Sequence, residues 1–306
     1  MNDVFNKPII NKKKTQIVYF SGTGGTARVS SQFEKSLLNH GVEVRKIALD
    51  MQEADYHTLS TSGQSADLLI LIYAVHALDA PEPVYDWIST IPDGNGQAVA
   101  IISVSGGGEV WPNTACRAGC INLFEQKGYN VVYERMIVMP SNILVATKEQ
   151  FAIRLLQILP SKVENCVSEI LSGVRRRKRP HITSRIMSAI FKIEKKGVKK
   201  FPKLLQVGEN CTSCGWCTKN CPRKNIEMIN SRPYFGGQCI ACLRCIYGCP
   251  SKAIHTSRFS FITIKEGYNL DELEKRMSDI ELEPIERVAA GILFVGVRDY
   301  LLDKDV

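Results

Sequence analysis

Eight of the eleven cysteines in this chain fall into one pattern written twice, Cys211-x2-Cys214-x2-Cys217-x3-Cys221-Pro222 and then Cys239-x2-Cys242-x2-Cys245-x3-Cys249-Pro250. Three thiolates at two-residue intervals let one tight backbone turn grip three corners of an iron–sulfur cubane. A fourth, leaving three residues later toward a proline, is aimed away from its own turn and can reach the other cluster. The ligand sets are therefore expected to cross, with Cys211, Cys214, Cys217 and Cys249 around one 4Fe-4S cluster and Cys239, Cys242, Cys245 and Cys221 around a second. Zinc fits poorly, because its sites close with four ligands from two separated pairs, and a third cysteine followed by x3-Cys-Pro has no tetrahedral rationale. A disulfide framework needs an oxidising compartment, and Met1 to Lys14 holds no apolar stretch before a cleavage site, so a reducing cytoplasm is expected. Cys116, Cys120 and Cys166 lack ligand spacing and read as packed thiols.

A second chemistry is written in Ser21-Gly22-Thr23-Gly24-Gly25-Thr26. Glycines let the backbone close on a phosphate, a following helix presents free N–H groups, and Ser21, Thr23 and Thr26 add hydroxyl donors, a combination suited to a phosphate monoester. The string is neither a GxGxxG fingerprint nor a P-loop, since its last two glycines are adjacent and no lysine follows them.

These residues need a scaffold, and the first 150 positions supply its pattern. Apolar or β-branched runs at Gln16–Ser21, Val42–Leu49, Asp67–Ala74, Gln97–Ser103 and Asn130–Val138 alternate with helical periodicity at Thr26–Asn39, Pro83–Ser89, Thr114–Lys127 and Lys148–Gly173. Near-continuous apolar strands joined by helices predict a doubly wound α/β domain with a five-stranded parallel sheet. The glycine–hydroxyl loop falls at its first strand-to-helix turn. Ligands in such a sheet sit beyond the strand C-termini. That draws in Tyr73, Ala74, Val75, His76 and Ala77 after the third strand, and Ser105, Gly106, Gly107 and Gly108 after the fourth. Tyr73, His76 or Trp111 would cover a ring face.

The loop after the first strand resembles the [ST]-x-T-G-x-T phosphate loop of flavodoxins at every defined position, with Gly25 where those proteins usually carry Asn. The cysteine doublet resembles bacterial two-cluster ferredoxins at all eight ligand positions. From Gln16 to about Phe261, with Met139-Pro140-Ser141-Asn142 after the fifth strand, the chain is similar to flavodoxin–ferredoxin fusion electron carriers of anaerobes. The resemblance implies FMN and two 4Fe-4S clusters in one polypeptide, a small α+β ferredoxin domain behind the flavodoxin-like one, and redox proteins as donor and acceptor. It also implies low potentials, which the lack of Lys or Arg in the phosphate loop would reinforce. An FMN-dependent reductase fed by the clusters, with His76 or Tyr73 as proton donor, and a redox-sensing regulator are the competing readings.

Length and charge complete the outline. A chain of 306 residues with 44% hydrophobic content suits two domains, and no apolar run approaches the ~20 residues of a membrane span. The net charge of +8 is concentrated in residues 151–206, which carry 14 basic and 3 acidic side chains. The expected division is a flavodoxin-like domain over 1–174, a basic connector over 175–206, a ferredoxin domain over 207–261 and a helical tail over 262–306 that packs on the domains. Ile182, Ile186, Met187, Ile190, Phe191 and Ile193 give the connector a short amphipathic helix, fit to pack on a neighbouring domain, an acidic redox partner or an anionic membrane surface. Without interleaved aromatics or a helix-turn-helix, nucleic acid is not an expected partner.

Overall fold

The computed structural model describes residues 14–50, 66–143, 146–178, 183–184, 197–256, 262–264, 267–288 and 295–303. Its first part alternates β1 (Lys14–Phe20), α1 (Gly25–Asn39), β2 (Glu43–Ala48), β3 (Leu68–Ala74), α2 (Glu82–Thr90), β4 (Ala98–Ser105), α3 (Ala118–Gln126), β5 (Asn130–Val138) and α4 (Glu149–Leu171). The five strands are parallel in the order β2-β1-β3-β4-β5. This is the flavodoxin-like doubly wound order, in which the chain reverses its direction of travel between β1 and β3 and opens a crevice at their carboxyl ends.

Continuous apolar strands form here because both sheet faces are covered. Ile17, Ile70 and Ile102 point into one core with Phe33 of α1 and Val163 of α4, while Val18, Leu71 and Ile101 point into the other with Trp87 of α2 and Phe124 of α3. The third helix starts later than its sequence pattern, with Asn113–Ala115 forming a 3-10 turn before it.

A buried ion network ties this turn to the sheet. Arg117, 1% exposed, donates to Glu134 of β5 at 2.8 Å, to the Ser103 hydroxyl of β4 at 2.8 Å and to Glu109. The basic run then does something its composition hides. Arg176 pairs its backbone with Val132 and Glu134, the Lys178 N–H donates to the Glu134 carboxylate, Arg175 reaches Asn130, and Arg177 reaches Glu125 and the Val131 carbonyl. Residues 175–178 therefore close the outer edge of β5 rather than begin a free connector, which moves the end of the α/β domain past position 174; an unpaired edge strand would be a pairing liability. Arg179 and the expected amphipathic helix lie outside the described residues.

The cysteine-rich region is small and built on two short antiparallel ladders. After a 3-10 turn at Phe201–Leu204, β6 (Leu205–Val207) pairs with β9 (Ile254–Thr256), and β7 (Ile226–Ile229) pairs with β8 (Arg232–Phe235). Asn230 and Ser231, both at positive φ (48° and 60°), make the two-residue turn of that hairpin. Single-turn helices α5 (Trp216–Asn220) and α6 (Arg244–Tyr247) follow the cysteine loops.

The tail contributes α7 (Leu270–Arg276), α8 (Ile285–Val288) and α9 (Val295–Leu301). Leu270 and Leu273 join the α1/α4 core, and Arg28 of α1 bonds Glu274 at 2.7 Å. Among the described residues no helix is long and apolar enough to cross a membrane.

Removing one partner from a buried charge network strands the other. Arg117→Ala is therefore expected to lower unfolding free energy by about 3–5 kcal/mol, read from the denaturant midpoint of the purified protein.

Candidate functional site

The two cysteine motifs fold into backbone turns of the same shape. Ser213 (φ 56°) and Ala241 (φ 51°), Gly215 (φ 70°) and Leu243 (φ 62°), and Lys224 (φ 48°) and Lys252 (φ 51°) take left-handed conformations at the interval that separates the motifs. Non-glycine residues held there cost on the order of 1–3 kcal/mol each, and such cost gathers at functional sites. Backbone curled this way turns successive N–H groups inward, which suits an anionic group. Several already meet sulfur. The N–H of Asn225 lies 3.4 Å from Cys221 Sγ, that of Ala253 lies 3.3 Å from Cys249 Sγ, and that of Ala241 lies 3.3 Å from Cys239 Sγ.

Cys211, Cys214, Cys217 and Cys249 line one cavity together with Met228, Pro233 and Ile254. On the other side, burial pushes the Cys245 thiol well up, and its neighbours Cys242, Cys239, Cys221 and Cys217 add to the effect. Burial also pushes Cys242 up to about 11, with Cys239 and Cys221 again contributing. Cys249 thus lines the cavity of the first motif's three cysteines, and Cys221 lies near Cys239, Cys242 and Cys245, with Cys217 of the first motif also near Cys245. Among the described residues no three His, Cys, Asp or Glu side chains converge closely enough for one metal ion. A cubane takes one thiolate at each of four iron corners and so needs a wider ring of donors than a single ion does. The residues present fit such a group: four thiols per set, inward N–H donors, and an apolar shell of Ile226, Leu243, Ile246 and Ile254.

The glycine–hydroxyl loop sits where β1 turns into α1. Ser21, 6% exposed, accepts the N–H groups of Gly24 and Ala27 on its hydroxyl, both at 3.2 Å, which fixes the loop's curvature. Gly24 is left-handed at φ 97°. Among the described residues, the first-turn N–H groups of Gly25 and Thr26 have no partner within the chain, so the helix opens on free donors. Thr23 accepts from Asn142 Nδ2 at 2.7 Å, which brings the segment after β5 onto the loop. A side chain at Gly25 would press on the Tyr268 hydroxyl at 3.3 Å, so the tail occupies the place that a larger residue there would use.

The other two loops are braced differently. Tyr73 is fully buried and its hydroxyl donates to the Cys116 carbonyl at 3.1 Å, so its ring lies in the core and does not reach the crevice. This corrects its reading as a ring cover, and it removes one of the two proton donors that the reductase alternative named. Ala74 ends β3, and Val75 carries the ladder one step further through its N–H to the Val104 carbonyl. His76 packs edge-on against Phe20, 5.9 Å between centroids, and exchanges two backbone hydrogen bonds with Asp79 across left-handed Ala77 and Leu78. After β4, the Ser105 hydroxyl accepts from the Gly107 N–H and from Asn113 Nδ2, and Asn113 also bonds the Gly108 carbonyl at 3.0 Å. Gly106 lies against Ser141, and Gly108 (φ 81°) meets the backbone of Gly296 in α9, where a Cβ would come within 2.7 Å. Glycine is thus required at 108 by the tail's close approach. Trp111 stands 60% exposed at the rim.

The glycine–hydroxyl loop and the second cysteine turn share a seam. A Cβ on Gly22 would sit 2.7 Å from the Cys242 carbonyl, so only glycine fits. Arg244 donates to the Ser21 carbonyl, to the Gly22 carbonyl at 3.0 Å and to the Asn220 carbonyl at 3.2 Å, and pairs with Asp50 at 2.8 Å. Arg223 pairs with Asp86 of α2 at 2.6 Å, and Ile240 enters the α2/α3 core. The loop itself holds no Lys or Arg, but two arginines from outside it come close. Arg244 bonds its carbonyls, and Arg28 approaches the Gly24 carbonyl at 3.5 Å, each neutralised in part by Asp50 or by Asp271 and Glu274. Neither arginine lies in the loop's own sequence, which is why composition there missed them.

No protein-family model and no curated protein matches this chain. Among solved structures, a flavodoxin from the domain Archaea matches 51% of this chain and 98% of its own at 13% identity and TM-score 0.35. A Streptococcus pneumonia flavodoxin matches 53% of this chain and 99% of its own at 17% identity and TM-score 0.38. For a Pseudomonas aeruginosa flavodoxin the values are 53%, 98%, 12% and 0.39. These likenesses span about half of the chain, and the fold assignment rests on its own strand order.

Two outcomes follow from burial. Cys116, fully buried with its thiol pushed up to about 11 by burial, is expected to resist alkylation at pH 8 in the native protein and to react on unfolding, as read by mass spectrometry. Gly22→Ala forces the seam apart and is expected to destabilise by about 1–3 kcal/mol, with proteolysis appearing between the two domains.

Proposed function

We propose that this chain is an electron-transfer protein that holds FMN at the glycine–hydroxyl loop and two 4Fe-4S clusters in the crossed cysteine sets, exchanging electrons with separate redox proteins. The observation that carries this reading is the seam: a phosphate-type loop at the crevice of a flavodoxin-like sheet lies in contact with a turn that carries cluster-type cysteines. FMN accepts electrons in pairs and releases them singly, whereas a cubane passes one at a time, so the two together couple pair and single-electron chemistry.

The chain's own part is to bind and to insulate. The free N–H groups of Gly25 and Thr26, with the Thr23 and Thr26 hydroxyls, would hold the phosphate. Ser21 keeps the loop curved, and Asn142 donates to the Thr23 hydroxyl. N–H donors to Cys221, Cys239 and Cys249 and the apolar shell around the sulfurs set the environment on which cluster potentials depend. An acidic redox partner is the proposed counterpart of the basic segment. Arg175 and Arg177 are bonded within the chain, and among the described residues of that segment Lys200 and Lys203 are exposed cations on offer.

Anaerobically prepared protein is expected to hold one FMN and two cubanes, that is about eight irons per chain; about four irons, or zinc, would overturn the assignment. Cys221→Ser is expected to damage the cluster of Cys239, Cys242 and Cys245 and to spare the one nearer in sequence. Thr23→Ala or Thr26→Ala removes a donor to a charged acceptor, worth about 1.5–3 kcal/mol, so FMN affinity should fall about tenfold or more by fluorescence titration. Equal affinity of the parent protein for FMN and riboflavin would contradict a phosphate loop.

A further inference from the structure

The two cysteine turns have the same backbone but different surroundings. Thr212, Ser213 and Cys214 are all exposed, whereas their counterparts Ile240, Ala241 and Cys242 are buried or half-buried. What covers the second turn is the α/β domain itself: Ile240 and Cys242 pack into its α2/α3 core, and the Cys242 carbonyl rests on Gly22. Among the described residues the first turn meets no such cover, and Ile229 and Tyr234 of the adjoining hairpin stand 48% and 59% exposed.

We propose, building on the functional reading above, that the two sets are unequal stations with a fixed order. The set of Cys239, Cys242, Cys245 and Cys221 is the inner station, facing the glycine–hydroxyl loop. The set of Cys211, Cys214, Cys217 and Cys249 is the outer station, where a one-electron redox protein makes contact. Arg244 is the positioning residue that keeps the inner turn on the loop, since its guanidinium bonds two loop carbonyls from a place between two inner cysteines. One electron enters or leaves at the outer set for each electron that crosses the seam, and the redox partner is reduced or oxidised by that same electron.

Magnetic accessibility tests the order without any turnover assay. Cys214→Ala disables the outer set and Cys242→Ala the inner one. In each variant the surviving cluster is reduced anaerobically and its spin relaxation is measured with and without a soluble dysprosium complex. The outer cluster, left in Cys242→Ala, is expected to relax several-fold faster on adding the complex. The inner cluster, left in Cys214→Ala, is expected to change little and to broaden the radical signal of bound flavin, which the outer cluster should not do. Equal or reversed responses overturn the order. Arg244→Ala keeps all eight cysteines and serves where a cysteine variant loses all its iron. It is expected to retain iron and flavin while its inner signal becomes as responsive to dysprosium as the outer one; two signals already equal in the parent overturn the order, and an unchanged inner signal removes Arg244 from it. A parent protein that binds no iron would instead overturn the functional reading itself, and the order with it.

Discussion

One guanidinium decides how the two halves of this molecule meet. Arg244 offers a rigid fork of donors, and it spends them on the carbonyls of Ser21, Gly22 and Asn220 while Asp50 balances its charge. A peptide group carries its carbonyl and its N–H on opposite sides. Holding the Ser21 and Gly22 carbonyls toward the cysteine domain therefore fixes the polarity of the turn that leads into α1, whose free N–H groups open the helix. The same bond set that joins the domains thus orients the loop for an anion.

The sheet explains why so many segments converge there. With the order β2-β1-β3-β4-β5, the carboxyl ends of β1, β3, β4 and β5 lie side by side, and each sends its loop to the same end of the domain. The tail adds Tyr268 over Gly25 and Gly296 on Gly108, and Tyr247 of the cysteine domain donates to the Asn142 carbonyl at 2.8 Å. Charge follows the same plan. Acidic Asp50 and Asp86 of the α/β domain receive Arg244 and Arg223, so part of the positive charge of the cysteine region is used within the molecule.

Local signals were readable in the sequence and distant ones were not. Continuous apolar runs and period-3.6 patterns placed the five strands and four helices of the α/β domain to within a few residues, since both cores demand continuous apolar strands. Cysteine spacing announced two like-shaped backbone turns, because residues 28 apart share the same left-handed positions. Tyr73 misled, as an aromatic at the end of a buried strand packs inward more readily than outward, and Cys116 supplied its hydroxyl with an acceptor. Arg175–Arg177 misled in the other direction, because a run of like charges reads as solvent-facing until a sheet edge needs backbone partners. Arg117, Asn113 and Arg244 carried no local signal, their roles being defined by partners brought close only by folding.

The proposed crossing of the thiols bears on how the molecule would be made. Each proposed set draws three members from one copy of the motif and one from the other, so neither copy could complete a set alone. Lacing the first set draws both copies together and shortens the chain loop left for the second to close, which lowers its entropic cost. Half-laced molecules are then poor resting points, and maturation runs toward completion once begun. On the ribosome the set opened by Cys211 would stay incomplete until Cys249 has emerged, whereas Cys221, Cys239, Cys242 and Cys245 would all be out four residues earlier, so the set completed by Cys245 would be the first able to close.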